Sequence, residues 1–312
     1  MMTWAVLAAC QFATAQAAAP FAKTQAPGFY RMMVGDIEVT ALNDGVVPLP
    51  VDKLLTNVSP EDIRSTLARV YLTVPLETSF NGFLVNTGSK LVLIDTGAGT
   101  LMGPGTGRLV INLRAAGYQP DQVDEIYITH MHLDHVGGLT FNGQRVFSNA
   151  IVRAAKTEGD YWLSPAKMAA APSDEKTGFQ NASNSLDPYV KAGKFHPFEG
   201  DVTLVPGVRA VGTHGHTPGH TSYVVESQGK KLVVIGDLVH VGAVQFPNPS
   251  ITIKFDTDSN AAKEHRERTF RAAAAEGYWI AGAHLSFPGI GHLKADQGGY
   301  EWIPVNYSIP SP

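Results

Sequence analysis

The period of hydrophobic and polar positions changes repeatedly along this chain, and each change predicts an element. Asp36 to Leu42 alternates polar and apolar residues, the mark of a half-buried strand. Gly82 to Asn86 and Lys90 to Asp95 flank a short polar break and read as a hairpin. Ser59-Pro60-Glu61-Asp62 reads as a helix start, with Ser as cap and Pro in the first turn. Gly107 to Ala116 is amphipathic at helical spacing and is stopped by Gly117. Glu125 to Thr129 is a short apolar strand. Later strands run through Val208 to Val211, Ser222 to Glu226 and Lys231 to Ile235, and Asn260 to Ala275 is a helix closed by Gly277. Strands cluster in two stretches with helices around them, which favours an α/β fold of two sheets sandwiched by helices over one parallel sheet. No repeat and no Pro- or Gly-rich linker divides the chain, so residues 20–312 are expected to form one domain.

Composition removes several function classes. The chain has 312 residues, 44% hydrophobic and 17% charged, which is ordinary for a globular protein. The formal net charge is -4, and Lys and Arg are scattered singly. No basic footprint for nucleic acid results. Residues 1 to 19 are small and apolar, too short to span a bilayer, and carry Ala15-Gln16-Ala17 just before Pro20. They read as a secretory signal although no Lys or Arg lies near Met1, which places the mature protein in the periplasm or outside the cell with no membrane insertion of its domain. Leu7-Ala8-Ala9-Cys10 is also similar to a lipoprotein box, with only nine residues ahead of the cysteine. Cys10 is the only cysteine, so a folded domain after this leader has no disulfide framework and no thiolate nucleophile. Any metal must be held by nitrogen and oxygen.

Such ligands are concentrated in His130-Met131-His132-Leu133-Asp134-His135. In extended chain, residues two apart project to the same side, so His130 and His132 can grip one ion together. Asp134 and His135 fall at the start of a turn or helix and point elsewhere, which suggests a second ion. Four further segments offer ligands just after a strand or in a Gly-rich turn: Asp95, His214 to His220, Gly236-Asp237 and Ala283-His284. Isolated His196, His265 and His292 read as solvated loop residues. His214 and His220 read as structural neighbours of a ligand.

In that order and spacing, the motifs resemble the metallo-β-lactamase superfamily: His-x-His-x-Asp-His, then Gly-His-Thr, then Gly-Asp, then a late His. The resemblance runs from about residue 28 to the C-terminus. It implies an αββα sandwich with a two-metal site at one edge, where His130, His132 and His216 hold one ion, Asp134, His135 and His284 the other, and Asp237 bridges both. It also implies that Asp95 orients a ligand imidazole from behind. Asp134 and Asp237 are then the carboxylates on which catalysis depends. Zinc suits these ligands and needs no redox partner, with manganese, iron and cobalt as alternatives. Oxidoreductases of the superfamily usually carry Glu where His132 stands, so His132 argues for hydrolysis. Two bound cations bring a water's acidity constant to about 7 and polarise a carbonyl or phosphoryl oxygen.

A closer resemblance rests on Ala41-Leu42-Asn43-Asp44-Gly45, Pro75 to Ser79, Ala115 to Pro120, His284 to His292 and Val305 to Ser308. These segments are similar to methyl parathion hydrolase and its lactone-hydrolysing relatives such as dihydrocoumarin hydrolase, which are secreted dinuclear metal hydrolases, often homodimers. That group implies a small-molecule substrate and an aromatic pocket including Trp162 and Phe179. Leu55, His240 and Phe255 stand where parathion hydrolases carry Arg, Leu and Leu. A bulky Phe255 and a polar His240 are expected to narrow the pocket, favouring a flat aromatic lactone or aryl ester over a tetrahedral organophosphate triester. Competing expectations are a phosphotriesterase proper, an acyl-homoserine lactonase, a glyoxalase-type thioesterase, and a metal-binding scaffold without activity.

Overall fold

A computed structural model describes residues 19–309; the signal-peptide and lipoprotein readings fall on residues outside this range, apart from Ala19. The first sheet contains β1 (Phe29–Val34), β2 (Ile37–Leu49), β3 (Leu76–Asn86), β4 (Leu91–Ile94), β5 (Glu125–Tyr127) and β6 (Ile151–Arg153), hydrogen-bonded in that order. The second contains β7 (Val202–Val205), β8 (Val208–Gly212), β9 (Thr221–Ser227), β10 (Lys230–Val234), β11 (Trp279–Ala281), β12 (Ile290–Asp296) and β13 (Gly299–Pro304), also in chain order. Most pairings are antiparallel, but β4 to β6 run parallel, as do β10 and β11.

Side-chain alternation explains the layering. Along β4, Val92 and Ile94 enter the core shared with Tyr223, Val225 and Val234 of the second sheet, whereas Leu91 and Leu93 turn to the opposite face. There they meet Leu109 and Leu113 of the helix Leu109–Ala115 and Leu186 and Tyr189 of the helix Lys176–Lys191. On the far side, Val224, Val233 and Ile280 pack on Phe270 and Ala273 of the helix Ser259–Glu276. Helix, sheet, sheet and helix follow one another, the αββα sandwich expected.

Several local expectations hold in detail. Ser59 caps the helix Pro60–Ala68 by accepting from the Asp62 N–H. Gly277 ends the helix Ser259–Glu276 in the left-handed region, at φ 69°. The strand expected at Asp36–Leu42 extends to Leu49, because β2 continues past a bulge at Asn43/Gly45 and keeps pairing with β3. Among the described residues, no helix is long and apolar enough to cross a membrane.

Candidate metal centre

The seven ligand candidates converge at one edge of the sandwich, where strands of both sheets end. After β5 the chain turns through His130 and His132 into the one-turn helix Leu133–Val136, which carries Asp134 and His135. His216 follows β8, Asp237 follows β10 and His284 follows β11. The two sheets thus contribute four and three of the side chains.

Two sets form. His130, His132, His216 and Asp237 are one, and Asp134, His135, His284 and Asp237 the other; within each, one ligand atom per residue lies within 4.8 Å of all the rest. His132 Nδ1 is 3.0 Å from His130 Nε2 and 3.1 Å from His216 Nε2. Asp237 Oδ2 is 3.6 and 3.3 Å from the same two Nε2 atoms. In the second set, His135 Nε2 is 3.5 Å from Asp134 Oδ2 and 3.2 Å from Asp237 Oδ1, while His284 Nε2 is 3.3 Å from Asp134 Oδ2 and 3.1 Å from Asp237 Oδ2. A tetrahedron of ligands at zinc–nitrogen distance has edges of about 3.3 Å. The separations given for the two sets, 3.0 to 3.6 Å, bracket that value.

Their chemistry fits cations as well. His135 Nε2 and Asp237 Oδ1 are buried with no hydrogen-bond partner, a cost that native interiors rarely carry unless something else occupies the atoms. Burial, reinforced by neighbouring imidazoles, pushes His130 well below the usual histidine range and His132 to about 3, so their ring nitrogens keep lone pairs. In the second set burial works the same way on His284 but is outweighed by Asp237 and Asp134, which hold it at about 10. Asp134 and Asp237 are likewise held well below the carboxylate range, against burial, by the imidazoles around them.

Surrounding groups fix the ligands. Asp95, with φ at 59°, accepts the His135 Nδ1–H at 2.8 Å and the Thr129 N–H and hydroxyl at 2.8 and 2.7 Å, the position expected for it. Such a backbone angle is costly for a residue other than glycine and persists where the surroundings enforce it. His284 Nδ1 faces the Ser79 carbonyl at 3.3 Å, and Asn81 holds its loop by donating to the Gly282 and Leu285 carbonyls. His220 accepts the Asp237 N–H through Nε2 at 3.0 Å and pairs with Thr213 through Nδ1, so it does stand behind a ligand.

Three residues near the site escaped the sequence reading. Glu158 is fully buried and accepts the Met131 N–H, the Thr217 hydroxyl and the Gly219 N–H, each at 2.8 Å. One carboxylate therefore ties the loop between His130 and His132 to the loop after His216. Burial pushes its pKa up and these donors pull it back. Asp256 and Arg266 are the others. None belongs to a motif, and their roles arise only from contacts distant in sequence.

A cavity of about 550 Å3 opens over the site, with His132, Asp134, Asp237 and His284 at its floor and Phe80, Tyr161, Trp162, His240 and Phe255 in its walls. Trp162 packs edge-on against His132, and its Nε1 is buried without a partner. His240 is also buried with no hydrogen-bonded ring nitrogen, and burial lowers it to about 4. Phe179 is placed differently from expectation. It supports Trp162 from behind at 4.8 Å and is not in the cavity wall. Leu55 is also not a wall residue, because it pairs with Ile253 and buries into a cluster with Val51 and Ile63, one layer behind Lys254 and Phe255. His265 is not a solvated loop residue but sits buried on the helix Ser259–Glu276, against an exposed His214 that stands outside the ligand shell. His196 is exposed, and His292 stacks on Trp279.

Comparison with known proteins agrees with this geometry. Curated N-acyl homoserine lactonases from Bacillus sp and Bacillus cereus are 33% and 32% identical over 128 and 131 residues. Those alignments take 41% of this chain and 43% of each relative, so the chain spans less than half the length of the curated relatives it matches. Among solved structures, hydrolase AbOPH of the beta lactamase superfamily is 36% identical with a TM-score of 0.87, covering 92% of this chain and all of that one. AidC, a dizinc quorum-quenching lactonase solved with the product N-hexanoyl-L-homoserine, is 27% identical with a TM-score of 0.83, covering 90% and 99%. The family model for the metallo-beta-lactamase superfamily matches residues 79–284, a span that begins at the strand supporting His284 and ends on His284 itself. With the sandwich, the two ligand sets and that match in agreement, the chain belongs to the metallo-beta-lactamase superfamily.

Proposed function

We propose that this protein is a dinuclear metal-dependent hydrolase of lactones and aryl esters, with flat aromatic lactones of the dihydrocoumarin type preferred and organophosphate triesters turned over more slowly. The observation that carries this reading is that members of both ligand sets, His132, Asp134, Asp237 and His284, form the floor of an aromatic-walled cavity of about 550 Å3, a size suited to a small apolar ligand. Two zinc ions bound there would supply an activated water and Lewis acidity toward a carbonyl oxygen.

The protein's own groups do the rest. His130, His132, His216, Asp134, His135 and His284 would hold the cations together with Asp237, which belongs to both sets. Tyr161, Trp162 and Phe255 clasp a planar ring and exclude water. His240, neutral at pH 7, offers a polar contact 3.1 Å from Asp237 Oδ2. A phenol leaving group, with an acidity constant near 10 like that of Tyr, departs without strong need of an acid.

N-acyl homoserine lactones are the second reading, supported by the curated relatives and by the product named for AidC. A single experiment separates the readings: kcat/KM for dihydrocoumarin, N-hexanoyl homoserine lactone and methyl parathion on one zinc-loaded preparation. Dihydrocoumarin is expected to lead. A lead for the acyl lactone transfers the proposal to the second reading, and a lead for the phosphotriester overturns both.

A further inference from the structure

Segment 253–258 serves two structures at once. Lys254, Phe255, Asp256 and Thr257 line the cavity, while the same stretch is fastened to the loop that carries His216. The Thr257 N–H and hydroxyl both donate to the His216 carbonyl at 3.0 Å, and the Asp258 N–H donates to the Gly215 carbonyl at 2.8 Å. Between them, Asp256 Oδ1 accepts the His216 Nδ1–H at 2.9 Å, and Oδ2 takes the Ile253 N–H at 3.3 Å. Arg266, from the helix Ser259–Glu276, places Nη2 4.0 Å from Asp256 Oδ2, and both side chains are wholly shielded from solvent. The same guanidinium donates through Nε to the carbonyl of Leu238, the residue after Asp237, and through Nη1 to the Pro249 and Ile251 carbonyls at 3.0 and 2.7 Å. Its Nη2 has no hydrogen-bond partner, which leaves its charge to be met by Asp256.

We propose that Asp256 and Arg266 are a pair of positioning residues for the first ion: Asp256 fixes His216 in the tautomer that presents Nε2 to the metal, and Arg266 anchors Asp256 while seating the Asp237 turn. The carboxylate touches the ring nitrogen of His216 opposite the one facing His132 and Asp237, the arrangement in which an outer partner orients and strengthens an imidazole ligand. Because Asp256 adjoins Phe255, the cavity wall and one metal ligand are joined in a single unit. Asp95 does the corresponding work for His135, so each ligand set has its own buried carboxylate.

The inference rests on the two-cation reading of the site, and that reading fails separately if the unmodified protein binds no divalent ion. The test compares unmodified protein with Asp256→Asn, loaded with zinc or cobalt(II) and titrated with a competing chelator. One ion is expected to bind about 10–100-fold more weakly, the other to keep its affinity, and the cobalt visible spectrum to change for one ion only. Arg266→Lys, which keeps the charge but cannot span Leu238 and Ile251 together, is expected to weaken the same ion by a smaller factor. Phe255→Leu is the control for the cavity wall: it shifts KM and leaves metal affinity unchanged. Two ions at unaltered affinity with an unaltered cobalt spectrum in Asp256→Asn overturns the proposal, even where thermal stability falls. Should that variant not fold, Arg266→Lys decides the matter by the same readout.

Discussion

Phe255 is 42% exposed at the mouth of the cavity, and its ring lies 5.9 Å from that of His240, which is buried beside Asp237. The two side chains therefore narrow one side of the cavity above Asp237, the residue common to both ligand sets. Replacing both with leucine removes an aromatic ring and a polar edge while keeping all seven ligand candidates, although the His240 contact to Asp237 is lost. The double variant His240→Leu/Phe255→Leu is expected to raise the ratio of phosphotriester to lactone kcat/KM by about tenfold, the effect of roughly 1.4 kcal/mol of differential binding. Parallel kinetics on methyl parathion and dihydrocoumarin measure it, and an unchanged ratio removes these residues from the specificity argument. At this scale the sequence was most informative where motifs recur in order. The seven ligand candidates come together in two sets and Asp95 lies behind His135; spacing alone pairs His130 with His132, whereas the other members follow from the order of the motifs and the family resemblance that order carries. Glu158, Asp256 and Arg266 could not be read in that way. Asp256 meets His216 across 40 positions and Glu158 meets Gly219 across 61, and a single charged residue gives no local sign of such a partner.

Elements were legible to the extent that their periodicity was complete. The helix Ser259–Glu276 has both ends marked, by Asp258, whose side chain accepts the Asn260 and Ala261 N–H groups, and by Gly277. Leu55 is assigned to the pocket only through its resemblance to a position where parathion hydrolases carry Arg; an apolar side chain there turns inward instead, as its pairing with Ile253 and its burial with Val51 and Ile63 show. His265 was misjudged for a related reason: a histidine on a largely polar helix resembles a solvated one until the packing of His214 against it is known. Its burial, with the Arg268 charge adding to the effect, lowers it to about 4 from an ordinary 6.5. A histidine depressed in the folded state contributes stability above the unfolded value of about 6.5, and that contribution is lost as pH falls toward 4. Arg268, His214 and Asp201 are the titratable or charged groups acting on it. His265→Gln is therefore expected to melt with a shallower dependence on pH between 6.5 and 4 than the unmodified protein. Calorimetric melts across that range measure the slope, and equal slopes would show that acid sensitivity arises elsewhere.

For the molecule as a whole, the edge position of the metal centre has a mechanical consequence. His130, His132, Asp134 and His135 hang from the first sheet, and His216, Asp237 and His284 from the second. Each ligand set draws on both, so bound ions would cross-link two sheets otherwise held by the apolar core between them. Without ions the fold keeps that core, and the carboxylates of Asp134 and Asp237 retain a shared partner in the His284 imidazole. The metal-free protein is therefore expected to stay folded but to melt earlier. Ligand linkage sets the scale: an ion present at 100 times its dissociation constant adds about 2.7 kcal/mol to unfolding. Chelation should lower the melting temperature by several degrees, and zinc should restore it in proportion to the logarithm of its free concentration. Asp237→Ala, which removes the one residue common to both sets, should melt at a temperature insensitive to zinc or chelator. A single-set variant such as His284→Ala should keep part of the response. If chelation leaves the melting temperature unchanged, the ions do not bridge the sheets; if it abolishes cooperative melting, the apolar core alone is too weak to hold them together.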